Sequence, residues 1–291
     1  MTADGTPPAA RAATGAGDHL PAGPTGSDVD DHRLAVELAM QTGALLVKLL
    51  ERHRLEAPDP RHGLDELRDE GDRAAHEFLA AALAEARPDD AVLSEEAPDD
   101  RRRLNHRRVW IIDPLDGTRQ YGEPQRTDWG VHVALAVDGT PTVGAVALPA
   151  EGITLSTAEP PTLSPWLPGG DNSGARKQVI TSRSRPVPDG RAVAAALGAE
   201  LVTLGSVGAK VAEVIRGRAV AYVHAGGQSE WDSAAPVAVA LACGLHASRL
   251  DGRPLRYNRP DVELPDLLIC RPEVAAAALA ATVARAAPAA G

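Results

Sequence analysis

Aromatic side chains are scarce in this chain of 291 residues: they make up 3% of it, and phenylalanine occurs once, at Phe78. The core therefore has to be built from Leu, Val, Ile and Ala, within a hydrophobic content of 44% that is ordinary for a globular protein. Lysine is scarce too. Only Lys48, Lys177 and Lys210 stand among the thirty basic residues, so a lysine inside a motif is conspicuous. Cysteine occurs twice, at Cys243 and Cys270, with no Cys-x-x-Cys pair. Two thiols in apolar stretches make no disulfide framework; they read as buried core residues of a protein in a reducing cytoplasm. No apolar run approaches the ~18 residues of a membrane span. The segment Met1–Ser27, rich in Ala, Gly, Pro and Thr, lacks the apolar run of a signal peptide and reads as a disordered tail. Positive charge is in deficit, thirty basic against forty acidic residues, which leaves a formal charge of −10. That excludes a broad basic face gripping nucleic acid, since such binding is driven by neutralising phosphates. A small phosphorylated substrate stays open, because it needs only a local cation. The length admits one large domain or two modest ones.

What is present begins at Asp28. Leu34, Leu38, Leu45 and Leu49 recur at helical spacing behind an acidic start (Asp28, Asp30, Asp31) that suits a helix N-terminus. A second helix is expected to open at Asp72 and to run through Phe78, Leu79 and Leu83 until Pro88. Ala91–Leu93 and Val109–Ile112 read as strands, the latter buried on both faces. Val131–Val137 and Thr142–Leu148 flank Asp138-Gly139, a hairpin signal. The Pro-, Gly- and Ser-rich stretch 160–174 reads as a linker between an N-terminal half, 28–159, and a C-terminal half, 175–291. Beyond it, strands are expected at Gln178–Thr181, Leu201–Leu204, Val220–Val223 and Leu267–Cys270. Helices are expected at Asp189–Leu197, Gly208–Ile215, Trp231–Cys243 and from Pro272 onward. The alternation predicts mixed α/β layers, and there is no internal repeat.

The chemistry-bearing residues fall at the ends of these elements. Asp113-Pro114-Leu115-Asp116-Gly117-Thr118 sets two carboxylates three residues apart after a strand, with no base between them. A hard divalent cation such as Mg²⁺, which takes oxygen ligands, would relieve their repulsion. Gly117 and Thr118 would then offer backbone N–H groups to a phosphate. An Asp-Pro turn followed by an Asp-Gly turn explains the same residues equally well. Glu95, within Ser94-Glu95-Glu96, closes a strand and alone reads as a solvated side chain. Asp232, in Trp231-Asp232-Ser233-Ala234-Ala235, and Asp72 each have the plain explanation of a helix N-cap. The arginines Arg101–Arg103 and Arg107–Arg108 beside Asp99-Asp100 read as a solvated loop. Taken together, Glu95, Asp113, Asp116 and Asp232 share the positions at which α/β folds place ligand crevices.

Trp110 to Thr118 resembles the first signature of the inositol-monophosphatase-like superfamily, and Trp231 to Ala235 resembles its second. Glu95-Glu96, with Glu95 eighteen residues before Asp113, is similar to its third acidic element. The resemblance covers about Asp28 to Arg285 and implies a layered α-β-α-β-α sandwich of the inositol-monophosphatase and sugar-phosphatase type. Within the superfamily, Gly205-Ser206-Val207-Gly208-Ala209-Lys210 resembles the CysQ-type 3′(2′),5′-bisphosphate nucleotidases. So does Gly252-Arg253-Pro254-Leu255-Arg256-Tyr257-Asn258. Inositol monophosphatases tend to carry an apolar residue where Lys210 stands. Two stretches depart from the pattern. Arg61–Asp72 lacks the usual Lys and Thr-x-x-Asp, and Ala221-Tyr222-Val223-His224 stands where relatives often carry an arginine.

The resemblance implies a lithium-sensitive phosphatase with two or three Mg²⁺ ions. Glu95, Asp113 and the Leu115 carbonyl would hold one ion; Asp113, Asp116 and Asp232 would hold a second, with a third near Glu95. Glu95 and Thr118 would orient the attacking water, Thr118 leaning on Asp72. Gly117 and Thr118 would hold the scissile phosphate, Ser206, Lys210 and Asp232 the nucleotide, and His224 its other phosphate. The implied substrate is 3′-phosphoadenosine 5′-phosphate, cleaved to AMP and phosphate, with its sulfated relative beside it; this ties the chain to sulfate assimilation. A phosphatase of inositol 1-phosphate or fructose 1,6-bisphosphate, or a non-catalytic regulator keeping the fold, are the alternatives. The expected partner is the small nucleotide, with no nucleic acid and no membrane; a homodimer is left open.

Overall fold

The structure, a computed structural model, describes residues 26–56, 59, 62–123, 125–165, 177–183 and 188–286. The expected tail lies outside these residues except for Gly26 and Ser27, which already belong to helix α1 (Gly26–Glu56). The expected linker lies outside them from residue 166 onward. After α2 (Leu64–Ala86) come β1 (Ala91–Ser94), β2 (Arg108–Asp116), β3 (Gly130–Val137), β4 (Thr140–Leu148) and β5 (Ile153–Ser156). These five strands form one sheet in chain order. The second half follows as β6 (Gln178–Ser182), α3 (Pro188–Leu197), β7 (Glu200–Leu204), α4 (Val207–Ile215), β8 (Ala221–Ser229) and α5 (Glu230–Ala242). It ends with β9 (His246–Ser248), β10 (Glu263–Cys270) and α6 (Pro272–Ala286), and its sheet has the order β7-β6-β8-β10-β9.

The period of two along each strand sorts the core into layers. Trp110 and Ile112 of β2 join Leu38, Leu46, Leu79 and Leu83 of α1 and α2. Val109 and Ile111, on the opposite face, join α4 and α5 through Val211, Val214, Ala234 and Val237. The same two helices cover Tyr222, Leu267 and Ile269 of the second sheet. Its far face, with Val179, Val223 and Leu268, is covered by Val193 of α3 and by Val274 and Ala278 of α6. This is the expected α-β-α-β-α sandwich, in which the middle helices serve both sheets. Each fully buried Leu or Val there contributes about 1.5–3 kcal/mol relative to exposure.

The β3–β4 hairpin turns at Asp138 and Gly139, whose φ values of 51° and 73° are those of a type I′ turn. Asp72 does not open a helix: α2 begins at Leu64, and Asp72 lies inside it. The short edge strands β5 and β9 have too few residues to show a periodic pattern, and sequence reading passes over them. Cys270 is buried as expected, whereas Cys243, at the end of α5, is only partly so. Among the described residues no helix is long and apolar enough to cross a membrane.

Candidate active site

A defect in β2 makes the site. In a regular strand Asp113 and Asp116, three residues apart, would point to opposite faces. Pairing with β3 instead jumps from Asp113–His132 to Asp116–Gly130, so β2 holds one residue more than its partner. Such a bulge restores both carboxylates to one side and accommodates Pro114, which cannot donate to the ladder. Asp232, in the first turn of α5, meets them: one carboxylate oxygen from each of Asp113, Asp116 and Asp232 lies within 4.8 Å of the others. β1 runs parallel to β2 with Ser94 beside Ile112, which brings the next residue, Glu95, alongside Asp113.

The charges in this cluster oppose one another. Asp113, 1% exposed, is raised well above its ordinary pKa by burial and by the charges of Glu95, Asp116 and Asp232. Burial and Asp116 push Asp232 up to about 6. Glu95 is exposed as a residue, yet its carboxyl faces Asp113; loss of water and the charges of Asp232, Glu96 and Asp116 raise it to about 7. Asp116 is the exception. Burial would raise it too, but His132, Ser206 and Lys210 outweigh that and bring it down to about 2. A set of oxygen donors that cannot ionise together unaided fits a hard divalent cation, and no His or Cys belongs to it.

Asp116 is held by one of its two oxygens. Oδ2 accepts from the Ser206 hydroxyl and from Gly208 N at 3.2 Å, and His132 Nε2 stands 3.1 Å away. Ser206 also caps α4, accepting from Ala209 N at 3.1 Å. Its hydroxyl is therefore turned to Asp116. Asp232 is not the N-cap of α5; Ser229 is, and Asp232 Oδ2 accepts from Ser229 N at 2.5 Å. The start of α5 is pinned from behind, where Glu230 accepts from Asn258 N at 2.6 Å and from Arg259 N at 2.8 Å. Tyr257 pairs with Ser233 at 3.1 Å. The 252–258 motif thus supports the helix that carries Asp232, and none of its residues lines the cleft.

The cleft, about 670 Å³, opens over Asp116, Gly117 and Thr118, a volume that suits a nucleotide-sized ligand. Gly117 has φ 89°, and a Cβ there would lie 2.9 Å from the Asp128 carbonyl oxygen, so only glycine fits. Thr118 Oγ1 donates to Leu115 O at 3.0 Å, with Asp72 Oδ1 at 3.5 Å. Asp72 is raised to about 7 by burial and by Glu96 and Asp69. Lys210, 2% exposed, lines the cleft with Nζ 5.0 Å from the centre of the Tyr222 ring. Burial lowers it to about 8 against the pull of Asp116, Asp232 and Asp128. His224 lines the same cleft but is 3% exposed.

Sequence reasoning missed His132, Asp128 and Arg183. His132 reads as one more strand residue, and Asp128 and Arg183 meet only in space, 55 positions apart. It also misread Arg103 and Arg108. Arg103 is buried between Asp99, Asn258 and the Arg259 carbonyl, and Arg108 binds Asp90 and Asp31.

The sequence profile of the inositol monophosphatase family matches residues 30–287. A 3′-phosphoadenosine 5′-phosphate phosphatase of Mycobacterium leprae is 44% identical over 258 residues, 86% of this chain and 92% of that protein. The 3′(2′),5′-bisphosphate nucleotidase CysQ of Escherichia coli is 33% identical over 198 residues, 64% of this chain and 78% of that one. Among solved structures, CysQ from Bacteroides thetaiotaomicron superimposes with a TM-score of 0.64 at 24% identity, over 83% of this chain and 97% of that one. Inositol monophosphate-bound SaIMPase-II reaches 0.66 at 18% identity, over 87% of this chain and 94% of that one. At these identities the structures speak for the fold. With the profile spanning nearly every described element, and with the paired acidic segments folded into one cluster, the chain belongs to the inositol monophosphatase family.

Proposed function

We propose that this chain is a Mg²⁺-dependent phosphatase that removes the 3′-phosphate of 3′-phosphoadenosine 5′-phosphate, giving AMP and phosphate. The observation that carries the reading is the Asp113–Asp116–Asp232 cluster opening onto a cleft that also holds a buried lysine, Lys210. The names of the Mycobacterium leprae and Escherichia coli relatives support the same substrate.

Glu95, Asp113, the Leu115 carbonyl, Asp116 and Asp232 would hold two or three Mg²⁺ ions, with Asp113 central. When bound, the metal supplies Lewis acidity, lowering the pKa of a water nucleophile and neutralising charge on the phosphoryl group. The N–H groups of Gly117 and Thr118 hold the phosphate at the turn that only glycine can make. Glu95 and Thr118 would orient the water, and Asp72, raised to about 7 and next to Thr118, is poised near neutrality to take its proton. The water oxygen bonds to phosphorus as the P–O3′ bond breaks, and the departing oxygen takes a proton. Lys210 meets the nucleotide, and Ser206 and His132 keep Asp116 aimed. In this reading residues 28–159 provide the metal end and 175–291 the nucleotide end, Asp232 crossing between them. The free thiols Cys243 and Cys270 fit a reducing cytoplasm.

The test is phosphate release with Mg²⁺ from adenosine 3′,5′-bisphosphate, inositol 1-phosphate and fructose 1,6-bisphosphate. The bisphosphate nucleotide is expected to give the highest kcat/KM. A preference for either of the others would refute the substrate, and full turnover after exhaustive chelation would refute the metal.

A further inference from the structure

A bisphosphate has two anionic groups, and the metal end accounts for only one of them. Of the cations around the cleft, Lys210 lies in the field of Asp116, Asp232 and Asp128, so its charge belongs to the metal end. His224 is buried with both ring nitrogens closed to solvent. Arg119 is exposed, and among the described residues nothing fixes its guanidinium.

Arg183 differs from all three. It follows β6, lines the cleft, and its side chain is 39% exposed. Nη2 donates to Asp128 Oδ2 at 3.2 Å, which orients the planar fork and leaves its other donors available. That same oxygen accepts from Gly205 N at 2.8 Å and from Arg126. Gly205 precedes Ser206, whose hydroxyl donates to Asp116. A hydrogen-bonded row therefore runs from Arg183 through Asp128, Gly205 and Ser206 to a metal ligand, fixing the cation at a set place relative to the cluster. A side chain at Gly205 would displace the row, since a Cβ there would lie 2.6 Å from Gln120 Cδ and 2.7 Å from Asp128 Oδ2. Asp128 lies just before β3 in the first sheet and Arg183 just after β6 in the second, so the row also spans the two halves.

We infer that Arg183 is the anchor of the non-scissile phosphate, the residue by which the cleft selects a nucleoside bisphosphate over a monophosphate; this rests on the phosphatase reading above. A guanidinium fork suits the terminal oxygens of a phosphate. Asp128 acts as its positioning residue.

The experiment compares kcat/KM of the wild type, Arg183→Met and Arg119→Met on adenosine 3′,5′-bisphosphate and adenosine 3′-monophosphate. Arg183→Met is expected to lose about 10- to 100-fold on the bisphosphate, mostly through KM, and less than about threefold on the monophosphate. Arg119→Met is expected to show no such split. Equal losses on both substrates, no loss at all, or a selective loss confined to Arg119→Met would each overturn the inference. So would a wild type that hydrolyses both nucleotides with no preference, a result that leaves the phosphatase reading standing. A wild type inactive on the bisphosphate would instead refute that reading itself, before any variant is compared.

Discussion

The two ends of β2 carry aspartate clusters that the chain treats in opposite ways. At the start, Arg108 binds Asp90 at 2.8 Å and Asp31 at 2.9 Å, and Arg87 reaches Asp31 at 2.7 Å. Burial would raise Asp90, but Arg108, Trp110 and Arg87 outweigh it and hold it below its ordinary pKa. At the other end Asp113, Asp232 and Glu95 are raised by burial and by neighbouring carboxylate charges, and among the described residues no arginine pairs with them. Carboxylates supplied with their own counter-charge fasten α1, α2 and the sheet together. Carboxylates left without it are strained until a ligand brings the charge. The contrast turns on who supplies the cation, since the density of acidic residues is similar.

The sharpest way to break the comparison is to remove a charge at the metal end, even that of Asp116, the member with partners of its own. Asp116→Asn removes one charge from the cluster while keeping the shape. Activity is expected to fall on the order of 10³-fold, several kcal/mol of charge stabilisation at 1.36 kcal/mol per decade. The thermal midpoint measured in chelator should move by less than about 4 °C, the equivalent of ~1 kcal/mol in a chain of this size. A variant that kept wild-type turnover at low Mg²⁺ would make the cluster structural.

Lys210→Met comes next. Met keeps the stem and the helix propensity of α4, and the loss of a charge-assisted hydrogen bond to phosphate is expected to cost about 10- to 150-fold in kcat/KM on the bisphosphate nucleotide. A simple phosphomonoester should lose about as much, because Lys210 stands with Asp116 and Asp232 at the metal end. A loss confined to the bisphosphate would move Lys210 to the second phosphate and take that role from Arg183.

The compensated end should answer the other way. Arg108→Met leaves Asp90 and Asp31 short of a partner and is expected to cost roughly 1–3 kcal/mol of stability, read as a lower denaturation midpoint with kcat of the folded protein unchanged. If kcat fell while the midpoint held, the two ends would not be separable.

The same contrast sets opposite responses to pH. Glu95, Asp113 and Asp232 bind protons more tightly folded than unfolded, so their effect on stability is most favourable at low pH. In chelator, stability contributed there falls as pH rises through about 6 to 7, where Asp232 and Glu95 ionise. Asp90, depressed, contributes above its unfolded value and loses that contribution as pH falls through its folded one. Mg²⁺ should therefore raise the thermal midpoint more at pH 8 than at pH 5. An equal increment at both would mean that the ion does not replace protons at this cluster.

How much of this could be read beforehand follows the same division. Asp113, Asp116 and Asp232 were legible because their spacing falls at element ends and matches two signatures. The hairpin at Asp138-Gly139 was legible because left-handed turn residues are local. Asp72 was misplaced, because the first two turns of α2, Leu64 to Asp69, are too polar to show a helical stripe. Arg103, Arg108, Asp128 and Arg183 were illegible or misread, since each takes its meaning from a partner far along the chain. A run of arginines looks solvated until its contacts are known.

Arg102 and Arg103 make the smallest and last test. They are neighbours in one turn of 3₁₀ helix and both are paired, Arg102 with Asp100 at 2.5 Å and Arg103 with Asp99 at 2.6 Å. Their side chains are 86% and 1% exposed. Arg103 also holds Asn258 and the Arg259 carbonyl, and the N–H groups of those two residues grip Glu230 at the start of α5. Arg102 holds nothing beyond Asp100 among the described residues. An exposed pair gains little from its charges, because water screens them and long side chains resist being fixed. Arg102→Met is therefore expected to leave both the thermal midpoint and the Mg²⁺ dependence of activity where they are, measured beside Arg103→Met, which should lower the first and weaken the second. If Arg102→Met lowered the midpoint as far as its neighbour does, pairing alone, and not burial with a second set of partners, would be what distinguishes the two ends of β2.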